Sequence, residues 1–289
     1  MRLGITGATG FIGRRAAQLA AARGWEVVPF SRHPRDAGTR LFTPGEPADV
    51  DGLDAVLNLA GEPVLGWWTK DKRRRIMDSR VRGTRSVVEG FARAARPPRV
   101  LVSGSAVGFY GDTGDTEVDE ASPSGRGFLA GVCRAWEAEA GRAQSLARVI
   151  LLRTGFVLGR DGGAMKMILP AFRFGLGGKL GSGRQWMSCI HVDDVAGMAL
   201  WAVENEALRG PLNAVMPLPV TNAEFTRAVA RAVHRPAVVP NPAFLLRLIL
   251  GGMSALLLDS LRVRPSVAET GGYRYAFRDL GAALAAVAD

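Results

Sequence analysis

The sequence predicts an α/β fold: a Rossmann-type, doubly wound parallel sheet followed by a smaller, mostly helical C-terminal region. Three observations carry this. Short apolar runs alternate with helix-like stretches through the first half of the chain. A glycine-rich turn joins the first such run to the first helix. After about residue 160 the alternation gives way to glycine clusters and then to helices. Strands this apolar are buried on both faces, and strand–helix alternation lays successive strands in parallel with helices on both sides.

The elements follow in order. "RLGIT" reads as a short strand and "FIGRRAAQLAAARG" as an alanine-rich helix ended by Gly24. "WEVVPFS" and "DAVLNLAG" are the next strands, and residues 69–95 form a long helix stopped by Pro97 and Pro98. "RVLVSGSA" is a strand, "GVCRAWEAEAGRAQSLA" a helix and "RVILLRTGFVLG" a strand. Beyond these, "CIHVDDVAGMALWAVEN" reads as a strand end followed by a helix, and "GPLNAV" as a strand that returns to the main sheet. "TNAEFTRAVARAVHR" opens with Thr221 and Glu224 at capping-box spacing. The expected organisation is a nucleotide-binding unit over residues 1–165, a substrate-side region interwoven with the sheet over 166–238, and a helical module over 239–289.

Bulk properties narrow the function. The chain has 289 residues, enough for a sizeable core, and two cysteines, which cannot build a disulfide framework. A reducing cytoplasm is the expected setting. "PAFLLRLILGGMSALLLDS" is the most apolar late stretch, but Arg247, Gly251 and Gly252 interrupt it short of the ~18–20 residues a span needs. No stable membrane insertion is expected. The net charge of +10 favours anionic ligands. It is spread along the chain, and its densest stretch, "TKDKRRRIMDSR", reads as a solvated helix face without a nucleic-acid-binding signature. The expected partner is a small-molecule substrate, not nucleic acid, and a homodimer is compatible with the sequence.

The most informative motif is "TGATGFIG", with Gly7, Gly10 and Gly13 between a strand and a helix. A side chain at Gly7 or Gly10 would obstruct backbone amides approaching a pyrophosphate, and Gly13 allows the helix to pack closely on the sheet. Thr9, Phe11 and Ile12 complete the loop and the first helical turn, whose free N–H groups suit an anion. At the end of the second strand, "PFSRHPR" offers Ser31 and Arg32, and no acid appears until Asp36. A hydroxyl and a guanidinium suit a 2′-phosphate, so NADP(H) is expected over NAD(H). Asn58, Leu59 and Ala60 of "LNLAGEP" are expected to line the adenosine-ribose side of the cleft. Arg80 is either a contact to a cofactor phosphate or a solvated helix arginine.

Together "TGATGFIG", "NLAGEPV", "SRVRGT", "SGSAVGFYG", "FLAGVCRAWE", the long stretch "LRTGFVLGRDGGAMKMILPAFRFGLGGKLGSGRQWMSCIHVDD" and "PVTNAEF" resemble the epimerase-family branch of the atypical short-chain dehydrogenase/reductases. The resemblance covers nearly the whole chain, including a C-terminal helical module of about fifty residues. It implies NADP(H) binding more firmly than any reaction, since members of the branch carry labels as different as nucleoside-diphosphate-sugar epimerase and cell-division inhibitor.

The usual mechanism of that fold needs a serine, a tyrosine and a lysine: the first two hold the substrate oxygen, and the lysine lowers the tyrosine pKa. Ser105 matches the serine, with Ser103 the alternative. Counting back from Glu137 in "CRAWE" places Leu129 at the tyrosine position and Cys133 at the lysine position, so both groups are missing. Tyr110, five residues past Ser105, is the candidate replacement proton donor, although packing of its loop is the plainer reading. Cys133 is either a reactive thiol or a buried small hydrophobe, and His191 is a structural histidine before it is an acid–base group. Asp193 and Asp194 are expected to cap the helix that follows. Arg153 is expected to pair at the sheet edge. Arg160, beside glycines, is a candidate for binding an anion at the cleft mouth, and Lys179, Arg184, Gln185 and Trp186 form a basic, aromatic loop. These features predict an oxidoreductase or nucleotide-sugar epimerase acting on a small anionic or nucleotide-linked substrate. The rival is a non-catalytic, NADP(H)-responsive regulatory protein, which the empty tyrosine and lysine positions favour.

Overall fold

A computed structural model describes residues 1–288. Seven strands form one sheet: β1 (Arg2–Thr6), β2 (Glu26–Ser31), β3 (Arg40–Leu41), β4 (Ala55–Asn58), β5 (Val100–Ala106), β6 (Arg148–Thr154) and β7 (Gly210–Ala214). Their spatial order is β7-β6-β5-β4-β1-β2-β3, and every neighbouring pair is parallel. The order reverses direction between β1 and β4. In an open parallel sheet the crevice beyond the strand ends at that point is where a ligand can enter.

Four helices cover the sheet in two pairs. Helix α1 (Phe11–Ala22) packs beside the helix Val192–Glu204 on one face, and α2 (Lys70–Arg93) packs beside α3 (Phe128–Gly141) on the other. Each face has its own apolar core: Leu3, Ile5, Leu57 and Ile150 with Val195 and Leu200 on the first, and Val28, Val56, Leu101 and Val149 with Val87 and Phe91 on the second. Alternation of side chains along each strand divides them between the two layers. Helix α2 begins where the Thr69 side chain accepts a hydrogen bond from the Lys72 amide, and α1 ends at Gly24, whose φ of +74° suits glycine.

The remainder of the chain builds a third core at one end of the sheet. Helix Met165–Arg173, helix Asn222–Ala232 and helix Leu280–Ala288 meet around Leu169, Phe172, Phe225, Val229 and Leu284. The helix Asn222–Ala232 starts with the anticipated reciprocal cap between Thr221 and Glu224. The C-terminal module is stitched into the loop after β5: residues Arg262–Val263 pair in parallel with Glu117–Val118. Ser260 Oγ donates to the Gly114 carbonyl at 2.6 Å. The buried Asp194 carboxylate accepts the Ala276 and Phe277 amides at 2.7 and 2.9 Å, which fixes the module to the sheet-covering helix. Asp194 therefore anchors the module and does not cap its own helix; the cap is His191, whose Nδ1 accepts from the Asp193 amide. Among the described residues no helix is long and apolar enough to cross a membrane.

Candidate functional site

The crevice begins at the glycine loop. Gly7 has φ +70°, and its carbonyl accepts the Gly10 amide at 2.9 Å. A Cβ on Gly7 would sit 3.0 Å from the Ala60 amide nitrogen, and a Cβ on Gly13 would sit 2.2 Å from the Gly7 carbonyl oxygen. Helix α1 starts without a side-chain cap and without an acidic residue in its first turn. Its first amides and positive dipole end are therefore left for an anion. The Phe11 ring rests on the "GRDGG" turn: a Cβ at Gly159 or Gly162 would come within 2.4 Å of it. Those glycines thus let the turn after β6 pack against the start of α1. Arg160 projects from that turn and is exposed.

At the end of β2, Ser31 Oγ accepts the His33 amide at 3.1 Å, and Arg32 is exposed beside it. The nearest downstream acid, Asp36, is occupied locally by the Gly38 amide and the Thr39 hydroxyl at 3.1 and 2.8 Å. The strand end therefore presents a hydroxyl and a cation rather than a carboxylate.

Leu59 and Ala60 edge the crevice half-buried, with their amides held at 3.1 Å by the Thr6 hydroxyl. Asn58 departs from expectation. It is buried, its Oδ1 accepts from the Thr6 hydroxyl at 2.7 Å, and its Nδ2 donates to the Thr84 hydroxyl at 2.9 Å. Asn58 ties β1, β4 and α2 together beneath the crevice instead of lining it.

Arg80 is neither solvated nor a free phosphate ligand. Its Nη1 donates to the Glu62 and Ile76 carbonyls at 3.0 and 3.1 Å. Its guanidinium stacks over Trp136, 5.0 Å from the ring centroid, and lies under Gly61, where a Cβ would be 3.3 Å from Cζ. Burial lowers its pKa, and the geometry makes it a strut for the loop after β4.

The residues expected to move a proton form a buried network. Ser105 Oγ donates to Glu137 Oε1 at 2.6 Å. Glu137 is held by Arg153 through two bonds of 2.8 Å each. Arg153 Nη1 donates to the Tyr110 hydroxyl at 2.9 Å, and that hydroxyl donates to Asn213 Oδ1 at 2.8 Å. Tyr110 is only 3% exposed, and burial pushes its phenol up to about 12. The expectation of Tyr110 as proton donor is therefore corrected: it is sealed, fully bonded and harder to ionise than a free tyrosine. The turn Val107–Tyr110 rotates its side chain into the sheet edge. Ser105 stands at the expected end of β5, but its hydroxyl is committed to Glu137. Arg153 pairs with α3 rather than at the sheet edge. The signal for this pair was an arginine inside an otherwise apolar strand, which requires a buried counter-charge.

The positions assigned to the missing pair do face the end of β5. A Cβ on Gly108 would lie 3.3 Å from Leu129 Cβ, and Cys133 Sγ is 3.6 Å from the Ala106 carbonyl oxygen. Burial raises the Cys133 thiol to about 11, so it remains protonated and unreactive near neutrality. His191 is buried against Phe277, and burial lowers its pKa. Asp193 pairs with Arg15 at 2.6 Å.

The basic loop does not gather around an anion. Lys179 and Arg184 are exposed, and Gln185 is buried, with its amide donating to the Leu180 and Leu257 carbonyls at 3.1 and 3.0 Å.

Comparison with known proteins places this arrangement. The human epimerase family protein SDR39U1, in a crystal structure with NADPH, matches with a TM-score of 0.95 at 36% identity, over 100% of this chain and 99% of that one. The chloroplastic SDR39U1 homologue of Arabidopsis thaliana is 38% identical over 301 residues, covering 99% of this chain and 86% of the relative. YfhF of Bacillus subtilis is 35% identical over 294 residues, covering 98% and 97%. Residues 241–287 match a domain of unknown function, DUF1731. Residues 3–214 match the model of the NAD dependent epimerase/dehydratase family, with the glycine loop, the sheet and its switch point all inside the match, and the chain belongs to that family.

Proposed function

We propose that this chain is an NADP(H)-dependent oxidoreductase of the atypical short-chain dehydrogenase/reductase kind. One observation carries the cofactor reading: an uncapped helix start behind a glycine loop, with Ser31 and Arg32 in place of an acid at the end of β2. The amides of Phe11, Ile12 and Gly13 would hold the pyrophosphate, and Arg32 the 2′-phosphate. The NADPH in the human relative's structure supports the same reading. When bound, the nicotinamide supplies or accepts a hydride.

The chain's own residues shape the other end of the crevice. Ser105, Glu137 and Arg153 fix the end of β5, and Leu129 and the un-ionised Cys133 keep that end apolar. An apolar wall excludes water from a hydride-transfer site. The proton would then be exchanged with a group on the substrate side, since Tyr110 is sealed away. Two free, buried cysteines support a reducing compartment.

The rival reading, a non-catalytic NADP(H)-responsive protein, is favoured by Leu129 and Cys133 standing where the tyrosine and lysine belong. A panel of small aldehydes and ketones incubated with NADPH separates the two, with absorbance at 340 nm as the readout. Enzyme-dependent loss of NADPH with any member supports the oxidoreductase. No turnover, together with different affinities for NADPH and NADP⁺, supports the sensor.

A further inference from the structure

Past the end of β5 the chain forms a pocket of about 100 Å³ that is open to solvent on one side. Val107, the first residue after β5, is on one side with Phe156 and Trp186, and Leu256, Leu257 and Asp259 of the C-terminal module close the other. The polar groups on the wall are mostly spent. Ser188 Oγ donates to the Leu261 carbonyl at 2.7 Å and accepts the Val263 amide at 2.9 Å. Asn222 Oδ1 accepts the Leu180 amide at 2.8 Å, and its Nδ2 faces Met187 Sδ at 3.5 Å.

Asp259 differs from these groups. Among the described residues no donor lies within hydrogen-bond distance of its carboxylate and no cation within ion-pair distance, although the residue is part-buried. Burial raises its pKa and Asp112 reinforces the rise, while Arg247 opposes it from beyond ion-pair range. Among the described residues no lysine or arginine lines the pocket; Lys179 and Arg227 belong to a separate groove beside Ala237–Pro240. A largely apolar pocket with a carboxylate and no cation on its wall disfavours anions and rewards a hydrogen-bond donor.

We infer that this pocket binds a small, apolar, non-anionic molecule presenting an N–H donor to Asp259, with the DUF1731 module supplying Leu256, Leu257, Asp259 and Leu261 of its wall. The oxidoreductase reading is needed only to call that molecule a substrate; the binding preference stands without turnover. It replaces the anionic, nucleotide-linked substrate expected from the basic loop.

Benzylamine and benzoate, nearly equal in size and opposite in charge, test it. Each is titrated into the NADPH-loaded protein with ¹³C-methyl methionine, and the Met187 signal, on the cavity wall, is followed. Benzylamine should shift Met187 and bind at least about tenfold more tightly than benzoate. Asp259→Asn should remove that preference while leaving NADPH affinity unchanged, and Leu256→Trp, which fills the cavity, should abolish the shift. Equal binding of benzoate, an unmoved Met187 at millimolar benzylamine, or an intact preference in Asp259→Asn would overturn the inference. If the amine response is intact but NADPH does not bind, the cofactor reading fails and this one survives.

Discussion

The two ends of the crevice are built on opposite terms. At the glycine loop the backbone is left open: Gly7, Gly10 and Gly13 clear space, and the first amides of α1 have no side-chain cap. At the end of β5 the side chains bind one another: Ser105, Glu137, Arg153, Tyr110 and Asn213 form a closed chain of bonds with little left for a ligand. The first end keeps its hydrogen-bonding capacity for a partner, and the second spends it on the fold. A polar residue near a cleft is thus no guide to chemistry until its own bonds have been counted.

Substitutions can break this contrast from either side. The largest effect should come from Glu137→Ala, which leaves Arg153 buried without its counter-charge; breaking such a pair costs ~3–5 kcal/mol, read by urea unfolding. Gly13→Ala should leave the fold standing but push the glycine loop out of place. Overpacking of this kind costs ~1–3 kcal/mol, and here it should appear as a ten- to hundredfold loss of NADPH affinity, roughly, in a fluorescence titration.

Alkaline pH gives the next effect. The folded-state pKa of Tyr110 is raised, so its contribution is complete below the unfolded value of 10 and is lost as pH rises towards 12. The expected loss is ~2–3 kcal/mol across that window, measurable as a falling urea midpoint. The Cys133 thiol, raised to about 11, adds a loss of the same sign that begins lower, near pH 9. Tyr110→Phe should cost ~1–2 kcal/mol by leaving Asn213 and Arg153 short of a partner. Turnover per folded molecule should be unchanged; a specific loss of turnover would return Tyr110 to the chemistry.

Much of the fold was legible because its signals are local. The glycine spacing, the alternation of apolar runs and the Thr221–Glu224 cap each lie within a few residues of one another. What failed to show depends on register and on distant pairing. Asn58 ends its strand where cleft residues often lie, but strand alternation turns it towards Thr6 and Thr84. Tyr110 is one turn beyond β5, and its hydroxyl is spent on Arg153 and Asn213, both distant in sequence. Ser260 and Asp112 meet across 148 residues of sequence, so the wall that the C-terminal module adds to the cavity has no local signature. The missing tyrosine and lysine were legible, but not what occupies their surroundings.

The central claim is that the open end of the crevice is an NADP(H) site read by Arg32. Titrating NADPH and NADH into the native protein and into Arg32→Glu tests it most directly. The native protein should prefer NADPH, and the substitution should weaken NADPH about 10- to 100-fold, the loss of a charge-assisted contact, while leaving NADH nearly unchanged. Equal losses for both cofactors, or no loss for either, would contradict the account.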